Sequence, residues 1–199
     1  MYFNQNEYKK ALPLFEAILS AQVRRFSPMH ASVGAAMHNV GVCRLRLGQH
    51  ALAENLFTEA VQIRKQTLGM QHLEVAASLS KLGSTRVALR KFDAAFDDIQ
   101  KALRVAKSLL GEEHKTVAQI LGHLGCFYFE VGEIYASLAT FEDALAIYRV
   151  VWSSQTDRDA CMAQLTDTLC NIGSIQNRQK WYGKAVETFS EALDLHRGI

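Results

Sequence analysis

Proline is almost missing from this chain of 199 residues, which holds 2, and that scarcity suits an ordered, largely helical protein. No run of about 18 uninterrupted apolar residues occurs, which excludes direct membrane insertion through a spanning helix. The opening MYFNQNEYKK lacks the basic-then-apolar order of a signal peptide, so export is unsupported and an intracellular, cytoplasmic location is expected. A strong excess of one charge is also lacking. The 22 Lys+Arg against 20 Asp+Glu leave a formal net charge of +2, too small for the field that recruits nucleic acid or an anionic membrane. The basic excess sits in residues 1–50, where Lys9, Lys10, Arg24, Arg25, Arg44 and Arg46 outnumber Glu7 and Glu16. The 4 cysteines, Cys43, Cys126, Cys161 and Cys170, form no CxxC pair and no disulfide framework, and read as reduced thiols packed as small apolar groups.

What is present is a hydrophobic fraction of 49% arranged in a period. From Val75 to Gly111 two amphipathic patterns follow one another. The first is marked by Leu79, Leu82, Gly83 and Arg86, the second by Phe92, Ala95, Ile99, Ala102 and Leu103. Each would expose an apolar stripe if left alone. The same order recurs on both sides: Gly41, Gly83, Gly125 and Gly173 are separated by 42, 42 and 48 residues, as are Ala60, Ala102, Ala144 and Ala192, and Ala53, Ala95, Ser137 and Ala185. Two helices per unit at a fixed period predict a stacked helical solenoid in which neighbours bury one another's faces.

Taken in order, the chain reads as a single solenoid over 1–199, with units at about 1–30, 31–72, 73–114, 115–157 and 158–199. The first is partial. Tyr8, Ala11 and Phe15 align with His50, Ala53 and Phe57, so only its second helix, about 8–25, is complete, with Met1 to Phe3 left of its first helix and Pro13 near the start of the second. Gly48, Gly69 and Gly132 mark helix ends. The polar run Ser153 to Asp159 reads as a longer connection, which lengthens the last period by six residues, and the final helix is expected from about Gly183 to His196 with an apolar, uncapped end.

These residues resemble the tetratricopeptide repeat. The fourth copy shows it in Leu121, Leu124, Gly125, Tyr128, Gly132, Ser137, Phe141 and Ala144, and the fifth keeps Leu169, Ile172, Gly173, Tyr182, Ala185, Phe189 and Ala192. The 42-residue spacing, with turns Leu68 to His72 and Leu110 to His114 and with His30, His72 and His114 each followed three residues later by valine, is similar to the long-repeat subclass found in kinesin light chains. The resemblance implies an all-α, right-handed superhelix of antiparallel helix pairs. Its concave groove is lined by the first helix of each unit and serves to bind protein.

Two residues before the repeated glycine stand Asn39, Lys81, His123 and Asn171, and one residue after it Val42, Ser84, Cys126 and Ser174. A polar column beside compact residues leaves room for an extended peptide and offers groups for its backbone. Asn39 and Asn171 match the asparagine of kinesin-light-chain repeats, while Lys81 and His123 depart from it toward positive charge, to which His38, Arg46 and Arg178 add. An acidic segment is the expected partner. Ala77, Ser80 and Gly122 stand where a clamp for a terminal carboxylate would need Lys, Asn or Arg, so that ligand is not expected.

No chemistry beyond binding is indicated. The motifs Gly-x-Ser-x-Gly, HExxH and a phosphate-binding glycine loop are lacking, and Asp97, Asp98, Glu112 and Glu113 fall where solvated faces and turns are expected. The three periodic histidines sit in units about 10 Å apart, too far for one metal ion, and read as turn and packing residues. His123 and Cys126 share a helix face without further ligands. We therefore expect a non-catalytic interaction scaffold without cofactor, metal or nucleic acid, binding a peptide or helix of a protein partner. The alternative is a structural subunit held in a large assembly through its convex face or ends.

Overall fold

A helix that carries glycine on one side and small or branched residues around it is built for close approach, and this composition governs the whole chain. The computed structural model describes residues 5–153 and 158–197. Among the described residues there are nine α-helices and no strands: α1 Gln5–Arg25, α2 Ala31–Arg46, α3 His50–Leu68, α4 Leu73–Ala88, α5 Phe92–Leu110, α6 Lys115–Val131, α7 Ile134–Ser153, α8 Arg158–Arg178 and α9 Tyr182–Arg197. The chain divides into two compact units, Met1–Leu109 and Leu110–Ile199. In the first, α1 packs on α2, α2 on α3 and α3 on α4; in the second, α6 packs on α7, α7 on α8 and α8 on α9. The fold is an all-α helical-repeat solenoid.

The repeated glycine explains how a pair closes. A Cβ on Gly41 would lie 2.9 Å from the Phe57 ring, one on Gly125 2.9 Å from Phe141, and one on Gly173 2.8 Å from Phe189; on Gly83 it would lie 2.5 Å from Ile99. Each glycine of a first helix thus seats the large residue sixteen positions on, in the second helix. The small ladders fill the rest: Ala60, Ala102, Ala144 and Ala192 are buried, as are Ala53, Ala95 and Ala185. Ser137, where its counterparts are alanine, is also buried and satisfies its hydroxyl by donating to the Gly125 carbonyl at 2.8 Å. Sealing a ring such as Phe57 or Phe141 from water stabilises the fold by about 2–3 kcal/mol each.

The periodic histidines have a specific task. His30, His72 and His114 are the N-caps of α2, α4 and α6, and each Nδ1 accepts from the backbone N–H two residues on, at 3.2, 3.1 and 3.1 Å. An acceptor there satisfies one of the donors that a helix start leaves unpaired. The turn between paired helices also repeats. Its left-handed residue is Gly48, Arg90, Gly132 and Lys180 in turn, so two of four copies place a bulky side chain where glycine costs least.

Three sequence expectations change. Helix α1 begins by Gln5, so Pro13 lies well inside it and removes an interior hydrogen bond. Asp98 is buried and bonded to Arg86 at 2.6 Å, and so does not lie on a solvated face. The four cysteines are free, but only Cys43 and Cys161 are packed away, while Cys126 and Cys170 are exposed. Met1 to Phe3, and most of the connection from Ser153 to Asp159, lie outside the described residues.

Candidate functional site

Turning the glycine of each first helix toward its own partner helix fixes where the neighbouring side chains point. At 100° per residue, positions two before and one after the glycine fall on a face away from that contact. In the first unit this face carries Asn39 and Arg46, both exposed, with Val42 half-buried beside them on α2, and Lys81 and Ser84, both half-buried, on α4. Lys81 is depressed to about 8 by burial and by the Arg46 charge, so the two cations act on one another.

His38 does not join them. Its ring lies edge-on to Phe57 at 5.4 Å, and its Nδ1 is 3.1 Å from the Ser78 hydroxyl, which itself accepts from Arg64 Nη1 at 2.6 Å. With that oxygen already accepting, the Ser78 proton goes to an unprotonated Nδ1. Burial, then the charges of Arg64 and Lys81, lower the His38 pKa to about 3. His38 is therefore neutral at pH 7, and the positive charge expected of it is absent. Arg64 completes this buried set by donating to the Glu74 carbonyl at 2.9 Å and pairing with the Glu74 carboxylate at 2.7 Å.

A second set ties α3, α4 and α5 together: Arg86 bonds Glu54 at 3.1 Å and Asp98 at 2.6 Å, and Lys91 bonds Glu54 at 2.7 Å. Burial pushes Glu54 upward, yet the hydrogen bonds from Lys91 and Arg86 outweigh it and hold the carboxyl below its ordinary value. Burial dominates at Asp98 and raises it. These groups hold helices in register, whereas Asn39 and Arg46 are exposed and Lys81 is half-buried. Sequence reasoning overlooked both sets because partners 10 to 40 residues apart carry no local spacing; the one available signal was a charge within an otherwise apolar stripe, as at Arg86.

In the second unit, α6 brings His123, half-buried, and Cys126, exposed, while α8 brings Asn171, Ser174 and Arg178, all exposed. Cys126, Asn171 and Ser174 line one pocket of about 120 Å³ together with Phe129, Glu130, Phe141 and Ile175. The Arg178 guanidinium stands 5.0 Å over the Phe129 ring, where the cation faces the electron-rich surface. Although the residue is exposed, the protein atoms crowded around its thiol at the pocket wall desolvate it, and this and the Glu130 charge raise Cys126, so it is a thiol at neutral pH and a poor nucleophile. Ser174 donates to the Cys170 carbonyl at 2.7 Å, which leaves its oxygen free to accept only. Phe129 and Glu130 were not anticipated from the sequence. Among the described residues no group of three or more His, Cys, Asp or Glu side chains is placed to hold a metal ion, and no helix is long and apolar enough to cross a membrane.

The family model for the tetratricopeptide repeat matches residues 1–66 and 74–149, and a second model of the same description matches 166–197. The chain belongs to the tetratricopeptide-repeat family. No curated protein matches the sequence of this tetratricopeptide-repeat chain. Its fold is similar to that of BtubC (BKLC) from P. vanneervenii, at 23% identity and a TM-score of 0.75, covering 96% of this chain and 74% of that one. It is also similar to a putative kinesin light chain of nearly identical repeats from Podosopora anserina, at 17% identity and a TM-score of 0.67, covering 96% and 88%. MamA from Desulfovibrio magneticus RS-1 is a more distant match, at 14% identity and a TM-score of 0.56, covering 94% and 96%. The tetratricopeptide repeat is a protein-interaction fold, typically without catalysis, and its partners are proteins.

Proposed function

We propose that this tetratricopeptide-repeat protein is a non-catalytic scaffold that holds an extended peptide or a helix of a protein partner against the first-helix faces of its repeats. The observation that carries this reading is the pocket between α6 and α8. Three residues chosen from their repeat positions, Cys126, Asn171 and Ser174, line it with the apolar walls of Phe129, Phe141 and Ile175. A pocket of that size takes one apolar side chain, while the Asn171 amide offers a donor and an acceptor to a peptide backbone. On the face of α2 and α4, Arg46 and Lys81 suit an acidic side chain: a carboxylate beside Lys81 offsets the repulsion and burial that depress it.

The test is a peptide-display selection on the intact chain, followed by titration of the recovered sequences. Acidic peptides with a large apolar residue are the expected product. Replacing Asn39, Lys81 and Asn171 together by Ala is expected to weaken them by tenfold or more, and unchanged affinity in that variant would end the proposal.

A further inference from the structure

The loop joining α1 to α2 departs from its copies. Ser27 stands 42 residues before Gly69, which stands 42 before Gly111. Those glycines have positive φ of 81° and 82°, whereas Ser27 does not. Pro28 behind it disfavours helical backbone at Ser27, and α1 stops at Arg25. The Ser27 side chain is exposed, and its hydroxyl has no hydrogen-bond partner among the described residues. Stacking does not cover this position: Gly69 is exposed in the corresponding loop even though α2 and α4 both pack on α3. Arginine stands both three and two residues before Ser27, and proline one after; no other serine or threonine of the sequence has either arrangement. Arg24 and Arg25 are exposed in the last turn of α1, and neither is in an ion pair among the described residues. Arg25 faces the Phe26 ring, at 5.3 Å.

We propose that Ser27 is a phosphorylation site and that Arg24 and Arg25 hold the phosphate placed there. The donor is ATP, bound by a protein kinase. The Ser27 oxygen attacks the γ-phosphorus and forms the new ester bond as the bond from that phosphorus to the β,γ-bridging oxygen breaks; ADP leaves, and the hydroxyl proton passes to the kinase's carboxylate base. Two kinds of kinase find their recognition elements here: one whose acidic cleft pairs with both guanidiniums, and one whose pocket after the serine takes a residue lacking an N–H. Both need extended chain. Phe26 to Pro28 already lie outside the helix, and Val23, Arg24 and Arg25 are all exposed, so unwinding the last turn of α1 uncovers little apolar surface. Once formed, the ester brings about two negative charges beside two unpaired guanidiniums, whose forked donors match phosphate oxygens. It also precedes α2, whose first turn has no acidic residue, whereas α4 carries Glu74 there.

The test incubates the full chain with magnesium-ATP and, in separate reactions, a serine kinase that reads arginines before its target and one that reads proline after it. Mass spectrometry locates the phosphate. Phosphate on Ser27 from at least one of them is expected, and none after Ser27→Ala, which keeps the helical circular dichroism of the parent. Should that variant lose helicity, Ser27→Gly, the residue of the two following loops, serves instead. For the first kinase, Arg24→Ala with Arg25→Ala is expected to lower the initial rate about tenfold or more; for the second, Pro28→Ala removes the reaction. The phosphorylated chain is expected to have a higher urea midpoint than the parent, a gain that the double arginine variant mostly loses and that high salt reduces. No phosphate on Ser27 from either kinase overturns the proposal, as does phosphate placed mainly on another residue. A midpoint that fails to rise, or rises as much without the arginines, overturns the role given to Arg24 and Arg25.

Discussion

Replacing Gly83 by Ala tests whether the repeated glycine is a steric requirement. The added methyl would stand 2.5 Å from Ile99 Cγ1, 3.3 Å from its Cδ1 and 3.0 Å from the Ala95 carbonyl oxygen, against ordinary carbon contacts of roughly 3.5–4.0 Å. Ile99 is fully buried and cannot swing out, and the Ala95 carbonyl belongs to the α5 backbone, so the two helices must separate. Overpacking of this kind costs about 1–3 kcal/mol, and the better helix propensity of alanine returns about 1 kcal/mol. Because backbone as well as a fully buried side chain blocks the methyl, the upper part of that range applies and a net loss of roughly 1–2 kcal/mol is expected, or about 2–8 °C at 2–4 °C per kcal/mol for a chain of this length. Gly173→Ala is the internal comparison. The three atoms nearest its methyl all belong to the Phe189 ring, which is 39% exposed and able to rotate outward, so the two effects cancel to within about 0.5 kcal/mol. Thermal and urea unfolding by circular dichroism measure both. Stacked repeats unfold in parts, so hydrogen exchange should place the lost protection of Gly83→Ala on α4 and α5. The reasoning is refuted if Gly83→Ala is as stable as the parent, or if Gly173→Ala loses more.

Two further outcomes follow from the same geometry. Because the folded His38 pKa is depressed to about 3 from 6.5, the unfolded chain binds the extra proton between these values. Stability from this group is therefore full above about pH 6.5 and falls as pH drops toward 3, by up to about 1.4 kcal/mol per pH unit; urea midpoints at pH 7, 5.5 and 4.5 should show that slope, and His38→Asn should remove it. Lys180 holds a left-handed φ of 64° at a turn where two of the other copies have glycine. Lys180→Gly is expected to stabilise the chain by about 1 kcal/mol, read as a higher urea midpoint with an unchanged slope on denaturant.

The helices and their pairing were readable because the period repeats local information. Gly41, Gly83, Gly125 and Gly173, with their alanine ladders, state the same contact four times over, and repetition separates a packing rule from chance. The same register would have disclosed Arg90 and Lys180 as left-handed turn residues, since they stand where Gly48 and Gly132 do. It marked Asn39, Lys81, His123 and Asn171 as side chains the stack does not need, but it could not assign their surroundings. That His38 turns inward to Ser78 and is neutral, that Asp98 is buried against Arg86, and that Phe129 and Glu130 close a pocket beside Asn171 depend on groups from different helices. The sequence by itself determined the repeat and its helical pairs. Charge state and pocket shape were decided only by the tertiary structure, because desolvation and Coulomb interaction depend on distances between residues that no linear spacing encodes.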